Sequence, residues 1–300
     1  MNQKVSHSDP TKVRVGGIEI VYDTFGESTA PPMLLVIGLG EQMIAWDEKF
    51  CSDLAAQGYW VIRYDNRDAG LSTKLDEAGI PNIPALVQAQ MQGEMIETPY
   101  LLGDMADDAV GLLDALGVES AHVVGISMGG MIVQEIAIHR PERIRTMTSI
   151  MSSTGNPALP PAKPEAMALL TETAPTGRAD FIEDSVRVAR ILNGTGFPID
   201  EDRLRKKAGD IFDRGSSPAG MTRQLAAIIA SGSRKEALKS VTVPTLVIHG
   251  DADPLVSVEA GIDTANAIPE AELLIIRGMG HGLPPSLWPQ VVAAIVRHAI

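Results

Sequence analysis

The sequence predicts an α/β fold: a mostly parallel, eight-stranded sheet with helices on both faces and an inserted helical cap. Three observations carry that expectation. Short β-rich runs alternate with longer helical patterns, as crossovers between parallel strands require. The central runs are continuously apolar, which suits strands covered on both faces. The alternation stops after residue 151 and resumes near 241, with only helical patterns between.

The first two strands are short runs at 13–15 and 18–22, flanking Gly16-Gly17, a pair suited to the positive φ of a tight hairpin turn. An antiparallel edge therefore comes first. Residues 33–37 form an apolar strand between Pro31-Pro32 and Gly38, and a helix is expected over 43–57 with Gly58 as its stop. A strand at 59–64 follows. Residues 72–100 are rich in proline and glycine and hold a short helix near 84–92. An amphipathic helix spans 104–116, and its Asp104, Asp107 and Asp108 read as first-turn carboxylates that complement the helix dipole, not as a metal site. Strand 121–126, helix 128–139 and strand 144–151 follow. The best helices of the insertion are 181–192, 201–212 and 218–231; then come strand 245–249, helix 257–267, strand 273–276 and helix 286–298. The expected division is a core of residues 1–151 and 241–300 with a cap, or lid, over 152–240. Such a cap lies across the carboxyl edge of the sheet, where open α/β sheets bind ligands.

Composition narrows the function. A chain of 300 residues, 45% hydrophobic, can bury one large core. Its net charge of −13 argues against nucleic acid, whose phosphates need concentrated Lys and Arg. The single cysteine, Cys51, excludes an intramolecular disulfide and a thiolate metal cluster, which fits a reducing compartment or a protein indifferent to redox. With no apolar run long enough for a membrane span and none near the first ten residues, a cytoplasmic protein without membrane contact is expected. Monomer and homodimer both remain open.

The chemistry centres on Gly125-Ile126-Ser127-Met128-Gly129. A G-x-S-x-G pentapeptide alone is weak. Here a β-rich run ends at Ile126 and an apolar helix starts at Met128, so the chain must turn sharply and leave Ser127 projecting. A serine hydroxyl needs a base, and the base needs a carboxylate to fix its tautomer. His281, in Gly280-His281-Gly282 after the last strand, is the expected base; the other five histidines lie in the tail, at element ends or near the terminus, with His249 expected to pack in the core. The acid lies in Gly250-Asp251-Ala252-Asp253-Pro254. Asp253 is favoured over Asp251, which sits in the tight turn itself. The oxyanion donors are expected from the N–H of Met128 and from the loop Gly38-Leu39-Gly40, with Leu39 N–H favoured.

With these residues in place the chain resembles the α/β-hydrolase fold esterases, and especially the aclacinomycin methylesterase type. The resemblance rests on residues 36–40, Arg63-Tyr64-Asp65-Asn66-Arg67-Asp68, the run 122–129, Val243-Pro244-Thr245-Leu246-Val247-Ile248, Gly278-Met279-Gly280-His281 and Leu192-Asn193-Gly194-Thr195-Gly196. It implies a Ser127–His281–Asp253 triad, no cofactor and no metal, and hydrolysis of carboxylic esters. One departure is Ile37, where many such hydrolases carry a histidine. The run 63–68 is expected to brace the oxyanion loop without touching substrate. Met91, Met95, Met131 and Met279 are candidate pocket-lining residues. Fold and triad do not set the substrate, so lactonase, thioesterase, carbon–carbon bond hydrolase and cofactor-free perhydrolase remain as rivals. A non-catalytic ligand receptor is the rival of another class.

Overall fold

The computed structural model describes residues 5–172 and 174–299. The chain opens with a hairpin of β1 (Thr11–Val15) and β2 (Ile18–Phe25), and Gly16 at its turn has φ 54°. β3 (Pro32–Val36) follows. The helix expected over 43–57 is interrupted: a 3-10 turn at Met43–Ala45 ends, and α1 (Glu48–Ala55) starts afresh because the Asp47 carboxylate accepts from Lys49 N at 2.8 Å. An aspartate at an N-cap satisfies a donor that a continuous helix would have bonded internally. Then come β4 (Trp60–Tyr64), α2 (Ile83–Gln92), α3 (Leu102–Ala115), β5 (Ala121–Ile126), α4 (Met128–His139) and β6 (Ile144–Ile150). The segment between β6 and the next strand is helical: α5 (Pro164–Leu169), α6 (Arg178–Leu192), α7 (Glu201–Arg214), α8 (Pro218–Ser231) and α9 (Lys235–Leu238). The chain closes with β7 (Thr245–Gly250), α10 (Val258–Ala267), β8 (Glu272–Ile276) and α11 (Trp288–His298).

The eight strands form one sheet in the order β1-β2-β4-β3-β5-β6-β7-β8. β1 and β2 pair antiparallel, as do β2 and β4, and every later neighbour pair is parallel. Side chains of β3 show why these runs are apolar throughout. Leu34 and Val36 join the cluster under α3 and α4, while Met33 and Leu35 join the one under α1 and α11. Successive side chains point to opposite faces, so a strand with both faces covered has no place for a polar alternation.

Asp108 departs from its expected surface role. Asp104 does cap α3, accepting from Leu101 N at 2.7 Å, but Asp108 is buried and paired with Arg67 (2.6 Å). The reason is helical phase: four residues on from Asp104, it faces the loop after β4. Burial raises its carboxyl above the usual range, and the Arg67 contact opposes that rise.

The helical insertion lies against the loops that follow β3 and β4. Arg223 of α8 forms a fully buried pair with Asp68 (2.7 Å), Arg214 reaches Asp65 (3.1 Å), and Gln224 Oε1 accepts from Gly40 N at 2.8 Å. Those loops leave the carboxyl ends of parallel strands, so the insertion covers the edge where a ligand site is expected.

Candidate active site

β5 ends at Ile126 and α4 begins at Met128, leaving Ser127 as the whole of the turn. Its backbone adopts φ 54° and ψ −120°, a conformation that costs a non-glycine residue about 1–3 kcal/mol. Surrounding bonds hold it there: Ser127 N donates to Ile150 O at 2.9 Å, and Ser127 O accepts from Gly130 N (2.9 Å) and Ser152 Oγ (2.8 Å). The flanking glycines are sterically required. A Cβ on Gly125 would lie 2.2 Å from Gly129 O, and one on Gly129 would lie 2.1 Å from Val36 O. The first turn of α4 thus packs directly on the backbone of β3 and β5.

Two loops bring partners to Ser127. His281, in the loop after β8, has Nε2 3.0 Å from Ser127 Oγ and Nδ1 2.7 Å from Asp253 Oδ2. With Nδ1–H donating to the carboxylate, the Nε2 lone pair faces the serine hydroxyl; the tautomer is assigned from these partners. Asp253, after β7, is buried, and its Oδ1 accepts from Leu255 N and Val256 N, both at 2.8 Å. The carboxylate is therefore locked by backbone donors on one oxygen while the other serves the imidazole. Asp251 accepts from Gly278 N at 2.6 Å and shapes the turn, as its position in the sequence suggested. His249 packs in the core, with Nε2 donating to Val256 O at 2.8 Å. Burial holds its imidazole below the ordinary histidine range, so it stays neutral although Asp253 is 3.7 Å away. Its Nδ1, buried without a partner, is then an unprotonated ring nitrogen and not a stranded donor.

The loop after β3 closes the other side. A Cβ on Gly38 would lie 3.3 Å from Ser127 Cβ, so this backbone runs directly beside the hydroxyl. Among the described residues neither Leu39 N nor Met128 N has a protein hydrogen-bond acceptor. For Met128 this follows from its place as the first residue of α4. The 63–68 run braces the loop, as expected. Asn66 Nδ2 donates to Ile37 O (3.1 Å), and Asp65 accepts from Met43 N (2.7 Å) and Leu71 N (2.9 Å). Ile37 itself is buried in the core.

Of the four methionines, Met91, Met95 and Met279 do not line an enclosed site. Met131 and Met279 are packed in the two core clusters, while Met91 and Met95 are open to solvent. Met131 is on α4 and Met279 in the loop after β8, and the second pair lies on or just beyond α2, a helix with no buried side chain. Two residues near Ser127 carried no such signal in the sequence. Met221 of α8 packs over Gly40, its Cγ 2.9 Å from where a Cβ would stand. Glu41, next in the chain after Gly40, is exposed. Desolvation raises its carboxyl above the usual range, opposed by the charges of Lys207 and His281. Cys51 is fully buried, and burial pushes its thiol up to about 12, so it offers no competing nucleophile. Among the described residues no cluster of His, Cys, Asp and Glu could hold a metal ion, and no helix is long and apolar enough to cross a membrane.

Residues 31–284 match the family described as alpha/beta hydrolase fold. The chain is 31% identical to the rhodomycin D methylesterase of Streptomyces sp. (strain C5), over 91% of this chain and 92% of that protein. It is 30% identical to the rhodomycin D methylesterase of Streptomyces peucetius, with the same coverage of 91% and 92%. Among solved structures, the 2-hydroxy-6-oxo-6-phenylhexa-2,4-dienoate hydrolase from Rhodococcus sp. strain RHA1 superposes with a TM-score of 0.75 at 19% identity, covering 98% of this chain and 99% of that one. At that identity the likeness speaks for the fold alone.

Proposed function

The chain belongs to the α/β-hydrolase fold family, and on that premise we propose that it is a serine carboxylesterase acting through an acyl-enzyme on Ser127. The observation that carries this reading is the unbroken hydrogen-bond chain Ser127 Oγ–His281–Asp253 at 3.0 and 2.7 Å. Ser127 Oγ attacks the ester carbonyl carbon while His281 Nε2 takes its proton. Asp253 stabilises the imidazolium and holds its orientation. The carbonyl oxygen becomes an oxyanion facing Leu39 N–H and Met128 N–H, each donor contributing roughly 3 kcal/mol to the transition state. Collapse breaks the bond to the alcohol oxygen, which leaves with the proton from His281. Water, deprotonated by His281, then attacks the acyl carbon, and Ser127 recovers its proton as the acid departs. No step needs a cofactor.

The substrate class of this reading is small to medium carboxylic esters, and the two methylesterase relatives support methyl esters among them. We divide the chain into a core of residues 1–151 and 241–300 and a cap of residues 152–240. The helical run from α5 to α9 and its ties to the loops after β3 and β4 support that division. A cytoplasmic location is also part of this reading, supported by the lone free cysteine.

The test is turnover of p-nitrophenyl acetate and butyrate, and of a panel of methyl esters, by the wild type and by Ser127→Ala. The wild type is expected to turn over at least one ester, with a loss of roughly 10⁴-fold or more in the variant. No turnover of any ester by the wild type, or equal turnover by both, overturns the reading.

A further inference from the structure

The loop that carries His281 is gripped from two sides. On the core side Ala252 N donates to Met279 O at 3.0 Å and Gly278 N donates to Asp251, so the turn bearing Asp253 holds one edge of the loop. The other edge is held by the cap. At the end of α6 and just beyond it, Leu192 O accepts from His281 N (2.6 Å), Asn193 O accepts from Gly280 N (3.1 Å), and Gly196 N donates to Gly278 O (2.9 Å). Three backbone bonds in one short stretch make a small ladder between two segments that belong to no common sheet.

Glycines make this approach possible. A Cβ on Gly280 would lie 2.2 Å from Leu192 O, and one on Gly196 would lie 2.5 Å from Gly278 Cα. Gly194 has φ +74°, and a Cβ there would meet Gly280 N at 2.8 Å. The two backbones therefore touch with no side chain between them. Asn193 Nδ2 donates to Phe197 O at 2.9 Å and pins the turn of the strap. The strap continues into α7, whose Lys207 donates to Ile44 O, and Gln42 Nε2 donates to Ile211 O at 2.9 Å. The same stretch of cap thus contacts both the base loop and the segment that follows the oxyanion loop.

We propose that Leu192, Asn193, Gly194 and Gly196 are positioning residues: a glycine-interlocked strap of the cap that sets the place of the His281 imidazole against Ser127. This rests on the proposed esterase chemistry. Its consequence is that the cap has a role in the chemical step as well as in enclosing substrate. A strap displaced from the base loop moves the imidazole out of line with Ser127 Oγ, and a misplacement of about 1 Å can cost about a hundredfold in rate.

The experiment compares Gly196→Ala and Asn193→Ala with the wild type, and with Arg205→Ala, which breaks pairs to Glu183 and Glu201 away from the strap, as a control. Three quantities are read: kcat and KM on a p-nitrophenyl ester, the pH profile, and the NMR resonances of the His281 imidazole. Gly196→Ala is expected to lower kcat by about tenfold to a hundredfold with KM within about twofold. It should also shift the His281 resonances and the acidic limb of the profile, while Arg205→Ala changes none of these. Asn193→Ala only removes atoms, so it serves if Gly196→Ala does not fold, and it should show the same pattern more weakly. A raised KM with kcat intact, or unshifted His281 resonances in a folded variant, overturns the proposal. The imidazole resonances are read without substrate, so a failure of the esterase reading itself (no turnover by the wild type) stays distinguishable from a failure of the strap.

Discussion

The elbow at Ser127 and the helical cap are held together by opposite means. At the elbow, backbone lies on backbone: glycines at 125 and 129 bring α4, β3 and β5 into contact, and β3 is buried at every residue. In the cap, α6 buries only Val186, and α7 buries only Ala208 and Gly209. Its helices are laced by exposed ion pairs such as Arg178–Asp213 (2.8 Å) and Arg205–Glu183 (2.9 Å). It is fastened to the core by α8, which buries Arg223, Gln224, Leu225, Ala226 and Ala227 and carries the Arg223–Asp68 pair, and by the strap at residues 192–196. The close-packed elbow holds a strained serine in one geometry, while the cap bears on the site through its buried anchors and its exposed ion pairs add little.

The largest expected contrast separates the two aspartates after β7. Asp253→Asn keeps the bonds from Leu255 N and Val256 N but offers His281 the wrong tautomer, so kcat should fall by about 10⁴-fold. Asp251→Asn retains an acceptor for Gly278 N and should stay within a few-fold of wild type. Steady-state kinetics on one ester decides this, and equal losses would mean that the turn alone matters. Next come the two kinds of ion pair. Arg223→Ala strands Asp68 in a buried site and should cost about 3–5 kcal/mol in a denaturant melt. Arg205→Ala, although it removes contacts to Glu183 and Glu201, should leave the denaturant midpoint close to wild type because both sides are solvated. Comparable losses would break the distinction between anchor and lacing.

The smallest effect concerns Glu41. Desolvation raises its carboxyl above the usual range, opposed by the charges of Lys207 and His281. Because the charged form is the disfavoured one, Glu41→Gln should leave the denaturant midpoint and kcat on a p-nitrophenyl ester close to wild type. A large loss of either would show that the carboxylate carries a contact its raised pKa does not suggest.

What the sequence made legible follows the same division. Strand β5, the single-residue turn at Ser127 and helix α4 were readable to the residue, because a buried parallel strand and a glycine-flanked serine leave local signatures. That Asp253 and His281 meet beside Ser127 is legible because each follows a strand at the same sheet edge. The break at Asp47 was missed, since a capping aspartate inside a helical pattern looks like one more polar residue. Asp108 and the methionines were misjudged because helix phase and burial depend on what packs from outside the element. The grip of Leu192 and Asn193 on the His281 loop joins segments about ninety residues apart and involves backbone atoms alone. No residue type encodes it except the glycines that make room.

The most direct test of the triad is covalent. A fluorophosphonate probe should add once to the chain, and peptide mapping should place the adduct on Ser127. The adduct should vanish in Ser127→Ala, and labelling should slow by orders of magnitude in His281→Ala. An adduct on any other residue, or undiminished labelling of Ser127→Ala, would contradict Ser127 as the nucleophile and the mechanism built on it.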